Sequence, residues 1–86
     1  MSPVRARLEA AQVAARHQAA RDGWRPDRGN GPHPVFAALA SEALAILSDH
    51  SIPVTYSQVR TLANLAHDGV DPLADIVELV VGAWRP

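Results

Sequence analysis

The chain has 86 residues, which is room for one domain, and its 48% apolar and 20% charged residues read as a globular protein, not a disordered one. It holds no cysteine, which excludes a disulfide framework and thiolate chemistry. A net charge of −1 conceals a split: residues 1–28 carry six arginines (5, 7, 16, 21, 25 and 28) against Glu9, Asp22 and Asp27, whereas residues 29–86 carry Arg60 and Arg85 against six carboxylates. Such a split suits either a basic arm for an anionic partner or two halves that neutralise each other by docking.

Sixteen alanines and few β-branched residues before the last quarter predict an all-α protein, because alanine loses no side-chain entropy in a helix. Ser2 and Pro3 form an N-cap and first-position pair, and Gly23 a stop, so the first helix is expected over about 3–22. Val4, Leu8, Ala11, Ala15 and Ala19 make one narrow stripe flanked by arginines. An alanine seam buries little area, so this helix is expected to dock weakly or to order with a partner. The segment WRPDRGNGPHP, residues 24–34, reads as a linker from its proline and glycine content.

The second helix is expected from about Pro34 to Asp49, with Phe36, Leu39, Ala40, Ala43, Ile46 and Leu47 inward. The third opens on a capping-box pair, Thr55 and Gln58, and buries Val59, Leu62, Ala63 and Ala66. The pattern Asp-Gly-apolar occurs at 22–24 and 68–70, and at both places predicts a Schellman stop; in the second, Val70 would pack back on Leu65. Asp71 and Pro72 then supply an N-cap and first position for a fourth helix. Leu73, Ile76, Val77, Val80 and Trp84 share one of its faces, and Asp75, Glu78, Gly82 and Arg85 the other. The expected architecture is a small helical bundle with three core helices in residues 34–86, preceded by a linker (24–33) and a basic N-terminal helix (1–23), together one domain.

No catalytic or cofactor signature emerges. His17, His33, His50 and His67 lie sixteen or seventeen residues apart, not at the spacing that sets two ligands on one helix face. Ser48-Asp49-His50 reads as a helix end, since a triad is assembled from separated positions. The start MSPVRARLEAAQ has no apolar targeting core, and LADIVELVVGAW is short and interrupted by acids, so a cytoplasmic protein with no membrane span is expected.

The outward stripe of the third helix carries Ser57, Arg60, Thr61 and Asn64, the hydroxyl, guanidinium and amide groups that hydrogen-bond base edges in a major groove. The segment V-T-Y-S-Q-V (54–59) resembles the V-S-x-x-T-V entry to the recognition helix of helix-turn-helix proteins. In that alignment Pro53 stands where the turn glycine is usual. With that outward face and the basic arm before helix two, the expected function is a small, dimeric, DNA-binding regulator of transcription in which the third helix enters a groove and Arg25 and Arg28 contact the DNA backbone. The alternative is a protein-interaction module (inhibitor, adaptor or assembly factor) that binds through the arginine-flanked first helix or through a seam of Leu73, Val77, Val80 and Trp84 on the fourth, where it could also self-associate.

Overall fold

The computed structural model describes residues 2–26, 29 and 31–84. Four helices, α1 (Pro3–Arg21), α2 (Val35–Asp49), α3 (Tyr56–Ala63) and α4 (Asp71–Ala83), account for most of them, with a 3-10 turn at Asn64–His67. The fold is all-α. Helix α2 lies at the centre, packed on α1 at one side and α3 at the other, while α4 closes against α1, α2 and the 3-10 turn.

Local signals set the helix ends. Ser2 accepts the Arg5 N–H with its hydroxyl and Pro3 occupies the first turn of α1. At the other end Gly23 takes a left-handed φ of 74°, with the Trp24 N–H donating to Ala19 O at 2.9 Å and the Gly23 N–H to Ala20 O at 3.2 Å. That pair of bonds is the expected Schellman stop. The Thr55–Gln58 capping box at the start of α3 has both of its hydrogen bonds, at 2.9 and 3.2 Å.

The core is aliphatic, as four aromatic residues in the whole chain require. Leu8, Val35, Leu39, Ile46, Val59, Leu73 and Val77 are its largest fully buried side chains. The inner stripe of α1 seats as its periodicity predicts: Leu8 is fully buried, and Val4, Ala11 and Ala15 pack against the core. Helix α1 is therefore a wall of the core, not a loosely held arm. Its seam is reinforced at both edges. Arg5 bridges to Asp71 and, at 3.0 Å, to Asp75 on α4. Arg7 reaches Glu42 at 2.7 Å and Asp49 at 3.2 Å on α2, and those carboxylates raise its already high pKa. Two arginines of the basic first part thus pair with carboxylates of the acidic remainder across helix contacts.

Four local expectations need correction. The stretch read as one helix up to Asp68 ends as α3 at Ala63 and tightens into the 3-10 turn, and Gly69, at φ 158° and far from left-handed helical geometry, forms no Schellman stop. Val70 turns into the core at 4% exposure, and Leu65, its expected partner, is 48% exposed. Asp71 does not cap α4: Val70 holds that position, and the Asp71 carboxylate is spent on Arg5. The acidic side of α4, expected to be only a solvated face, keeps Asp71 and Asp75 largely exposed but also meets α1, where Arg5 bridges both and the Ser2 hydroxyl donates to Glu78.

The end of α2 held an unanticipated device. Ser51 adopts φ 59°, the Ile52 N–H donates to Leu47 O at 3.0 Å and the Ser51 N–H to Ser48 O at 2.9 Å. This is a Schellman stop with serine at the position that glycine fills most cheaply. It swings Ile52 back into the core, where it is 4% exposed beside the buried Leu47.

Candidate interaction surfaces

Three surfaces were anticipated, on α1, α3 and α4; the apolar stripe of α1 is the one already spent on the core. On α3, Ser57 and Thr61 are exposed and Arg60 is partly buried. Their polar groups are turned on the protein itself. Thr61 Oγ1 donates to Ser57 O at 3.0 Å, and Arg60 Nη1 donates to Asn64 Oδ1. The Arg60 guanidinium lies 5.6 Å from the centre of the Phe36 ring, which also stacks on His67 with centroids 6.3 Å apart and planes 8° from parallel. Phe36 thus serves as a platform for one cation and one imidazole, and Arg60 is held near the helix surface.

Asn64 belongs to the 3-10 turn, so the helical part of the expected reading face is only eight residues long. Six residues, 50–55, separate α2 from α3, where a helix-turn-helix joins its helices with three or four. Arg25 is exposed, in the segment after α1, and Arg28 lies outside the described residues. The α3 residues therefore come together, while the structure does not describe the arm that was to accompany them as a unit.

Arginine is sorted by position along α1. Arg5 and Arg7, near its start, are consumed by contacts with α2 and α4. Arg16 and Arg21 are exposed in its second half, Arg21 donating to Gln18 in its own helix. Beside them Trp24 packs edge-on to His33 with centroids 4.5 Å apart. His33 Nδ1 accepts the Val35 N–H at 3.0 Å at the start of α2. Burial, and then the positive charge of Arg16, lower the His33 pKa below its ordinary 6.5.

Helix α4 has three faces where the sequence reading saw two. Leu73, Ala74 and Val77 point into the core and are fully buried, so two of the four residues proposed for an interface seam are spent inside the monomer. Val80 packs partly against that core and Trp84, just past the helix, is 36% exposed. Asp71, Asp75 and Glu78 form the second face, toward α1. Pro72, Ile76, Leu79 and Ala83 follow at four-, three- and four-residue steps and form the third. Of these, Leu79 is 70% exposed, the highest value among the described large apolar side chains.

This third face is the surface that sequence periodicity missed. Ile76 was assigned to the core face because it is apolar, yet it is absent from the side chains that pack on the core. The missed signal is that α4 is apolar over too wide an arc: with only Asp71, Asp75 and Glu78 charged in thirteen residues, it has more apolar surface than one side of a helix can bury in a small domain.

Among the described residues no set of three or more histidine, aspartate or glutamate side chains converges as a metal site, and no helix is long and apolar enough to cross a membrane. The chain matches no protein family model, no curated protein and no solved structure.

Proposed function

We propose that this protein is a non-enzymatic protein-interaction module that presents the outer face of α4 to a partner. The observation that carries this reading is the exposure of Leu79, 70%, on a stripe with Pro72, Ile76 and Ala83 that the core does not use. Isolated exposed leucines are ordinary, but an apolar row at helical spacing is the pattern by which one helix docks along another. The seam differs from the one expected of the sequence: Leu79 and its stripe take the place of the buried Leu73 and Val77, with Val80 and Trp84 at the margin.

A second reading, a DNA-binding regulator, keeps a specific observation in its favour. Arg16 and Arg21 are exposed in the second half of α1, away from the Arg5 and Arg7 clamps, and phosphate contact needs such cations. Ser57, Arg60, Thr61 and Asn64 would form its base-reading group, with Arg25 and Arg28 on phosphate. Geometry favours the α4 reading, because Leu79 projects freely whereas Arg60 is already engaged by Phe36 and Asn64.

One experiment separates the two. A photo-crosslinking amino acid is placed at position 79 in one sample and at position 13, an exposed valine on α1, in another, and each protein is irradiated in native extract. A discrete protein adduct at 79 and none at 13 supports docking on α4. Equal or absent adducts, together with salt-sensitive binding of mixed-sequence duplex in an anisotropy titration, would replace it with the DNA reading.

A further inference from the structure

The outer stripe of α4 does not stand alone. Along one edge runs the row of Asp71, Asp75 and Glu78, three carboxylates served, among the described residues, by the guanidinium of Arg5 and the Ser2 hydroxyl. Among the described residues the row keeps a net charge of two negatives. Asp71 and Asp75 have side chains 68% exposed despite their bridges to Arg5, so their outer oxygens still face solvent. The docking face is thus apolar along its centre and acidic along one margin.

We infer that the occupant of this face is a basic amphipathic helix, an apolar stripe edged with arginine or lysine, supplied by another protein. The inference rests on the α4 reading given above and names its partner by charge complementarity. A stripe from Pro72 to Ala83 is about 18 Å long at 1.5 Å per residue. That length matches about three turns of one partner helix. A second copy of this chain fits less well. In an antiparallel two-fold pairing of α4 with itself centred on this stripe, equivalent edges oppose each other, and Glu78 would meet its duplicate near the axis.

Two synthetic peptides provide the probe. Both are 18-residue helices with leucines at four-, three- and four-residue steps; one carries arginine at the flanking positions and the other glutamate. Each is labelled and titrated with the full chain by fluorescence anisotropy at low and moderate salt. The arginine peptide should bind at least tenfold more tightly than the glutamate peptide, and the gap should narrow as salt rises. Leu79→Asn should weaken the arginine peptide at least tenfold, and Ala83→Asp should act in the same direction, with circular dichroism confirming that both variants remain folded.

Equal affinity of the two peptides, with the Leu79→Asn loss intact, would overturn the basic-helix inference and leave docking on α4 standing. Indifference to both Leu79→Asn and Ala83→Asp would overturn the docking face itself. A dimer in sedimentation that Leu79→Asn dissolves would overturn the heterologous partner in favour of a second copy.

Discussion

Truncation of Leu8 to alanine tests whether α1 is part of the cooperative fold. Leu8 is the only large side chain of α1 that is fully buried; the remaining residues of its inner stripe are Val4, partly buried, and the alanines at 11, 15 and 19. Burying a leucine side chain is worth about 1.5–3 kcal/mol, and the cavity left by Leu→Ala brings the usual cost to about 2–5 kcal/mol. Because Leu8 lies where α1 meets the core of α2, a loss of about 3 kcal/mol is expected. A chain of this length has a total stability on the order of 4–13 kcal/mol. The melting temperature should therefore fall by on the order of 15 °C. Urea unfolding followed by circular dichroism at 222 nm gives two readouts, the midpoint and the helical signal before the transition. A lower midpoint with the native signal preserved supports a four-helix cooperative unit. An unchanged midpoint with about a third of the helical signal already lost before the transition would refute it, since α1 holds 19 of the helical residues and would then detach without disturbing the rest.

The stop at Ser51 gives a prediction of opposite sign. A non-glycine residue in the left-handed region costs about 1–2 kcal/mol, and the extra freedom of glycine in the unfolded chain returns part of that, so Ser51→Gly should stabilise the protein by about 0.5–1 kcal/mol. Gly23→Ala, where an added Cβ meets no neighbour, should destabilise by a similar amount through φ alone. Denaturant midpoints that shift neither way would show that these turns relax without the left-handed residue. His33 supplies a pH dependence. Its folded pKa is lowered, first by burial and then by Arg16, so the unfolded chain takes up a proton that the fold resists. The contribution is complete above about 6.5, the unfolded value, and is lost as pH falls through the folded pKa. An NMR titration should place the His33 midpoint below 6.5, and His33→Gln should flatten the fall in stability on acidification; a midpoint at or above 6.5 would contradict the packing against Trp24.

Periodicity found the core faces of α1, α2 and α3 because each has one apolar side, and a neighbour four residues along is enough to define it. Trp24 and Thr55 were legible for the same reason: caps and stops are decided by atoms within a few residues of each other. The candidate sites were read less well. Ser57, Arg60, Thr61 and Asn64 were correctly placed outside the core, but the hold of Phe36 and Asn64 on Arg60 comes from a side chain of α2 and from the tightened turn, neither of which α3 announces.

By itself the sequence determined that the protein is all-α, where the helices lie to within a few residues, and that its core is aliphatic. Those properties follow from alanine content, spacing and caps, which act over one or two turns of chain. Only the tertiary structure decided which arginines are consumed in holding α1, that Leu65 stays outside, and that Leu79 lies at the centre of the open face of α4. A helix with apolar residues around most of its circumference has no preferred inside. Contact with α1 through Arg5 and Ser2, from the opposite end of the chain, fixes its rotation and leaves one apolar side exposed.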